Sequence, residues 1–347
     1  TGKLENVMKL SYKPYTLELR HVFTLATSSR NVTPVVLVSV ESDGYIGYGE
    51  ASLPPYLKEN QESVIRFLSQ LRLGPFSLAQ SLEEILVYVH SVEEGNAAAK
   101  AAVDIAIHDL YGKAINKAWW QIWGLDRLSA PYTSFTIGID SEDQIKQKTK
   151  EAKDFRLLKV KLGRDTDKMI ISAIRSVTNC PICVDVNQGW TDKHYALDML
   201  FWCKEQGVIF AEQPMPKEQI DDMAWLTEKS PIPTIADESF QRLADLDVVK
   251  DVFSGVNIKL MKCAGMAEAY CIVEKARLAG MKIMLGCMTE TSCAISAAAQ
   301  LSPLADWADL DGNLLITNDC FRGAELKEGK IISTELPGIG IIPVSFV

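Results

Sequence analysis

The sequence predicts an α/β fold: a (β/α)8 barrel carrying an α+β capping domain formed by the N-terminal segment and the C-terminal tail. Two observations predict it. From Pro131 onward eight short β-rich runs alternate with amphipathic helical patterns: YTSFTIG, LLKVKLG, PICVDVN, VIFAEQP, IPTIAD, GVNIKL, KIMLGC and DWADLDG. One residue near the end of each run (Thr136, Lys161, Asp185, Glu212, Asp237, Lys259, Leu285, Asp309) recurs at steps of 22 to 27 residues. A strand, a helix and two short loops need about that many, and right-handed crossovers lay successive parallel strands side by side. Eight such units close a barrel. A doubly wound open sheet would normally carry a glycine-rich phosphate loop after its first strand. The residues after Thr136 are Ile-Gly-Ile-Asp-Ser-Glu, which form no such loop.

The second observation is a different pattern over residues 1–127. Strand-like alternation from Lys13 to Val22 and from Pro34 to Glu50 surrounds Asp43-Gly44, a strong hairpin signal. Helical periodicity follows at Asn60 to Arg72, Leu82 to His90 and the Ala-rich Asn96 to Lys117. The barrel is assigned to residues 128–320. Residues 321–347 are Gly/Pro-rich and β-leaning with no partner left in the barrel, so they are expected to return to the capping domain.

Composition narrows the function classes. The 347 residues hold 45 acids against 36 bases, a formal charge of −9, with 47% hydrophobic and 23% charged residues. No Lys/Arg block offers a surface to nucleic acid or anionic membrane, and no window reaches the roughly 18 uncharged apolar residues a bilayer needs. A soluble chain is expected. The eight cysteines are irregularly spaced, which reads as reduced thiols in a cytoplasmic protein. Cys180-Pro-Ile-Cys183 lacks the second pair that a structural zinc site requires. The chain begins on Thr, so whether a leader preceded Thr1 is left open.

The C-terminal mouth of such a barrel carries its chemistry. Ionisable residues recur there: Lys161, Asp185, Glu212, Asp237, Lys259, Asp309 and Asp311. A merely packed barrel would place Val, Ile or Leu at these positions. Three carboxylates on consecutive strands, Asp185, Glu212 and Asp237, cannot ionise together without a cation. All-oxygen ligation selects a hard ion, and one Mg2+ per subunit fits best. Lys159 and Lys161 share a face of the second strand. Repulsion and desolvation are expected to turn one of them into a base near neutral pH. Lys259 lies four strands further round. Two lysines facing each other across a metal-bound substrate can remove a proton from one face of a carbon and return one to the other.

These residues lie in motifs that resemble the enolase superfamily, in its muconate-lactonizing-enzyme subgroup: GYGEAS, KAAVDIAIHDLYGK, LKVKLG, VDVNQGW, AEQP, ADES and NIKLMKCAG. The resemblance spans essentially the whole chain. It implies an enzyme whose metal ligands are Asp185, Glu212 and Asp237 and whose acid/base pair is Lys161 and Lys259, acting through an enediolate. The mandelate-racemase branch is excluded, because it uses a strand-seven His and none occurs after His194.

Asp309-Leu-Asp311 resembles the D-x-D of dipeptide epimerases, where two carboxylates hold a substrate's α-ammonium. A small-molecule dipeptide substrate follows, Ala-Glu or a related pair, as in cell-wall peptide turnover. Its further contacts are expected at Lys159, Thr136, Asn187 and Met288, and at the capping loops Leu25 to Arg30 and Leu53 to Tyr56, where Arg30 is either the partner of an acidic side chain or a solvated loop charge. Cys263-Ala264-Gly265 departs from the Gly-Gly pair of many relatives. An o-succinylbenzoate synthase or muconate cycloisomerase would leave Asp309 and Asp311 without a cation. A class I aldolase would not need the triad, and a non-catalytic binding barrel would not need the lysine pair. Assembly into a homo-oligomer is compatible with the sequence.

Overall fold

The structure, a computed structural model, describes residues 7–24 and 29–344. Three antiparallel strands open the chain in the order β1 (Lys9–Thr24), β2 (Ser29–Ser42) and β3 (Tyr45–Ser52). The β2–β3 turn is Asp43-Gly44, with φ of 52° and 81°, the left-handed pair a two-residue hairpin demands. β1 exceeds the expected Lys13 to Val22 at both ends because every residue from Lys9 to Glu18 finds a partner on β2; the register slips between Glu18 and Phe23.

Helices α1 (Gln61–Gln70) and α2 (Leu82–Ser91) each begin in a capping box, Asn60 with Ser63 and Ser81 with Glu84. Helix α3 (Ala97–Ala114) is buried on all sides from Ala98 to Leu110. Its alanines serve close approach. A Cβ on Gly47 would lie 2.0 Å from the Ala106 carbonyl oxygen, and one on Gly49 1.9 Å from that of Ala102. GYGEAS and the alanine helix are therefore two halves of one contact.

After the short α4 (Trp119–Ile122) the eight parallel barrel strands follow in sequence order: β4 (Ser134–Ile137), β5 (Leu157–Lys161), β6 (Ile182–Asp185), β7 (Val208–Glu212), β8 (Thr234–Ala236), β9 (Gly255–Ile258), β10 (Lys282–Leu285) and β11 (Trp307–Ala308). A parallel bridge between Thr133 and Ala308 closes the ring. Between the strands lie α5 (Glu142–Glu151), α6 (Asp167–Arg175), α7 (Lys193–Glu205), α8 (Ile220–Lys229), α9 (Leu246–Val249), α10 (Met266–Leu278) and α11 (Ser292–Leu301). Ser141, Asp192 and Thr291 cap α5, α7 and α11. No described helix is long and apolar enough to cross a membrane.

Side chains alternate across each strand. Leu157, Cys183, Phe210, Ile235 and Met284, with Trp307, pack together inside the ring. Outward residues such as Leu158, Val160, Ile182 and Val184 join the larger core. The tail beyond β11 touches both regions. Ile316 bridges Leu19, and Asn318 accepts from the Glu18 N–H. Gly338 bridges Ala118, whereas Lys330 bridges Tyr132 just ahead of β4.

The N-terminal elements are tied to the barrel by buried carboxylates. Asp104 on α3 accepts from the Met266 and Ala267 N–H groups at 2.5 and 3.4 Å, capping α10. Glu50 on β3 accepts from Thr291 Oγ1, Thr291 N and Ala294 N at 2.5, 3.1 and 2.9 Å, at the start of α11. Both place negative charge at a helix N-terminus.

Candidate active site

Two residues beyond the apolar floor the inner face becomes charged. Asp185, Glu212 and Asp237, at the ends of β6, β7 and β8, are buried, and each presents an oxygen within 4.8 Å of the others. Lys159 reaches into this cluster, its Nζ 2.7 Å from Glu212 Oε2, 2.7 Å from Asp309 Oδ2 and 3.1 Å from Asp185 Oδ2. Lys161 donates to Asp185 Oδ2 at 2.6 Å and to Asn187 Oδ1 at 3.3 Å. Four strands away, Lys259 donates to Asp237 Oδ2 at 2.7 Å.

Electrostatics follow from this spacing. Burial alone would raise the Asp185 carboxyl, yet Lys161 and Lys159 hold it down to about 2. Asp237 is likewise held well below the ordinary carboxylate range, because Lys259 and Lys262 outweigh its burial. Glu212 goes the other way: burial, and next the charge on Asp185, push it up to about 8. Its Oε2 has the Lys159 ammonium near but receives no directed hydrogen bond. A buried carboxylate oxygen thus lacks a directed donor at the centre of an all-oxygen cluster, a place that a hard divalent cation would fit.

Of the two lysines on β5, Lys159 is one that its surroundings keep charged. Burial works against its ammonium, but Asp309, Glu212 and Asp185 together hold it well above its ordinary value. Neighbouring carboxylates outweigh the like charges, so Lys159 stays a cation.

Supporting residues escape a reading of strand ends alone. Lys262 Nζ donates to Asp237 Oδ1 at 2.7 Å and to the carbonyls of Asp237 and Asn257 at 3.0 Å each, fixing that carboxylate. Gln213 Oε1 accepts from the Asp237 and Ser239 N–H groups at 3.0 and 3.1 Å. Asn257 Nδ2 donates to Glu212 Oε1 at 2.6 Å. Asn187, Gln188 and Gln213 have φ of 48°, 69° and 37°, so left-handed backbone follows two of the three triad carboxylates. All of these lie inside the motifs VDVNQGW, AEQP, ADES and NIKLMKCAG, without a local period to show what they hold. Ala264 and Gly265 have φ of 61° and 115°. That accounts for a glycine pair in relatives, and a Cβ on Gly265 would meet Asp104 Cγ at 2.3 Å.

The capping elements cover the mouth. Arg30 donates to Thr33 Oγ1 and Thr289 Oγ1 at 3.2 Å each, and its guanidinium lies over Phe23 and Tyr56 at 5.1 and 5.7 Å. Tyr56 donates to Met288 Sδ at 3.1 Å. Phe23, absent from the sequence expectations, also lies 5.9 Å from Lys161 Nζ. Leu25 to Ser28 of the first capping loop lie outside the described residues. On the opposite side Asp309 accepts from Ser134 Oγ at 2.8 Å as well as from Lys159. Asp311 accepts from the Thr136 N–H at 2.8 Å, and burial, with Asp309 next, pushes it up to about 7. Thr136 therefore meets the site through its backbone as well as its side chain.

A barrel whose mouth gathers three carboxylates between two lysines, under a three-stranded cap, defines a class, and the chain belongs to it: the enolase superfamily. Residues 13–124 match the mandelate racemase / muconate lactonizing enzyme N-terminal domain, and residues 141–344 the enolase C-terminal domain-like family. Within that class the chain is 58% identical over 338 residues to the L-Ala-D/L-Glu epimerase of Bacteroides thetaiotaomicron, covering 97% of this chain and 88% of the relative. Its fold is similar to that of the substrate-liganded L-Ala-D/L-Glu epimerase from Bacillus subtilis, with a TM-score of 0.92 and 27% identity over 98% of this chain and 100% of that one. It is also similar to a dipeptide epimerase from Enterococcus faecalis complexed with Mg and L-Leu-L-Tyr, with a TM-score of 0.88 and 29% identity over 96% and 99% of the two chains.

Proposed function

We propose that this chain is a Mg2+-dependent dipeptide epimerase, an isomerase that inverts the α-carbon of the second residue of Ala-Glu or a related dipeptide. The observation that carries the reading is the placement of Lys161 and Lys259 on opposite strands around the carboxylate triad. Asp185, Glu212 and Asp237 would hold the Mg2+. Bound there, it supplies positive charge where negative charge develops on the substrate carboxylate as the neighbouring carbon loses its proton.

The lysines move the protons. In one direction the neutral Lys161 amine takes the α-proton and becomes an ammonium, while the Lys259 ammonium gives a proton to the opposite face. In the reverse direction the roles exchange, so each configuration needs its own base. Lys159 keeps a permanent positive charge beneath the reacting carboxylate. Asp311, which burial and then Asp309 push up to about 7, would gain a cation in the substrate's α-ammonium, with Asp309 behind it. A cycloisomerase substrate brings no such group.

Arg30 makes no ion pair among the described residues, its contacts being hydroxyls and ring faces. It would pair with an acidic side chain of the second residue, which favours Ala-Glu; Met288, under Tyr56, would line the same pocket. We read residues 1–127 with 321–347 as the capping domain and 128–320 as the catalytic barrel. Eight free cysteines support a cytoplasmic setting, and a homo-oligomer is compatible with it.

Epimerisation in deuterated buffer tests the reading. Lys161→Ala and Lys259→Ala should each lower interconversion by roughly 100- to 10,000-fold, while one-sided, stereospecific exchange of the α-proton persists. Full activity in either variant eliminates the two-base scheme.

A further inference from the structure

Glu238 follows Asp237 in the chain but stands outside the triad. Its Oε1 accepts a hydrogen bond from Asn187 Nδ2 at 3.0 Å. The other end of that amide, Asn187 Oδ1, accepts from Lys161 Nζ at 3.3 Å. The amide thus bridges the two side chains, its Nδ2 toward Glu238 and its Oδ1 toward Lys161. The Asn187 backbone is fixed as well. Its φ of 48° lies in the left-handed region that Asn tolerates, and its N–H donates to Asp185 Oδ1 at 3.1 Å. Lys259 has no matching arrangement: it is held by Asp237, and no side-chain amide bonds to it among the described residues.

We propose that Glu238 is a positioning residue for one of the two bases: by fixing the Asn187 amide it holds Lys161, and not Lys259, against its face of the substrate. The inference rests on the dipeptide epimerase reading. It makes the two half-reactions unequal in what supports them. Among the described residues the Glu238 carboxyl hydrogen-bonds to Asn187 and to neither lysine.

The test follows initial α-proton exchange of L-Ala-L-Glu and of L-Ala-D-Glu separately, in deuterated buffer with Mg2+, by mass shift. Lys161→Ala identifies the epimer that Lys161 deprotonates. Glu238→Ala should slow exchange of that epimer by about 10- to 100-fold and leave the other within about twofold, since a misplaced base costs only its own step. Glu238→Gln should keep most of the rate, because an amide oxygen still accepts from Nδ2. Added to Asn187→Ala, Glu238→Ala should bring no further loss on that epimer, as expected of residues acting in series. Equal losses on both epimers in Glu238→Ala, or a Glu238→Gln as slow as Glu238→Ala, overturn the proposal. If Glu238→Ala does not fold, Glu238→Leu, which fills the space without an acceptor, carries the same prediction. Wild-type protein that exchanges neither epimer would instead overturn the epimerase reading on which it stands.

Discussion

The floor and the mouth of the barrel are built on the same strands, the same inward face and adjacent pleats, yet obey opposite rules. Phe210 and Glu212 show it most directly. They sit two residues apart on β7, both fully buried, one among apolar side chains and the other among charges. The floor gains by removing carbon from water. The mouth holds buried charge that only its lysines and a cation can offset. The lesson is that the floor supports folding whereas the mouth is tolerated for its chemistry.

The sharpest break of that comparison is a pair of substitutions on β7. Glu212→Gln should lower epimerase activity on the order of a thousandfold or more by removing a cation ligand. Because Glu212 is pushed up to about 8, a neutral amide resembles its state near pH 7, so metal-free stability should move by less than about 1 kcal/mol. Phe210→Ala should do the reverse, lowering unfolding free energy by about 3–5 kcal/mol, read by denaturant titration. Loss of stability in the first, or its absence in the second, removes the distinction.

A buried carboxylate without a cationic partner sharpens it further. Burial pushes Glu50 up to about 7 despite its three donors. A pKa raised in the folded state means that the native protein holds the proton more tightly than the unfolded chain. Stability from this group is therefore complete below about 4.5 and is lost as pH rises through about 7, a fall of about 3 kcal/mol. Stability measured from pH 4.5 to 8 should show that slope, and Glu50→Gln should flatten it. The smallest effect belongs to Lys262, which touches Asp237 but not the other triad carboxylates. Lys262→Met should weaken Mg2+ binding about 10- to 100-fold, measured calorimetrically, by freeing a ligand's orientation.

Much of this was legible in the sequence, and for identifiable reasons. A barrel repeats, so the rhythm from Thr136 to Asp309 exposed all eight strands and the residues at their ends. The observed strands stop sooner than the runs suggested: Asp237, Lys259 and Asp309 lie one residue beyond β8, β9 and β11. The motif residues Glu50 and Asp104 were visible, but their capping of barrel helices was not, since contacts between distant segments leave no local period. Gln213 and Asn257 stood in the motifs too, but their bonds to the Asp237 N–H and to Glu212 were hidden for the same reason. The carboxylates that keep Lys159 charged were hidden likewise: its lysine neighbour stands two residues away in sequence, while those acids arrive from β6, β7 and the far end of the barrel.

The closure of the ring has one more implication. β4 and β11 meet through a single backbone bridge, and the rest of that joint is sewn by Ser134 to Asp309, the Thr136 N–H to Asp311 and Thr133 Oγ1 to the Leu310 N–H. Two of the three stitches holding the first stave to the last are thus made by the very acids assigned to the substrate's amino end. Anyone seeking to retune this enzyme toward ligands without an amine would have to re-hoop the cask while changing its contents.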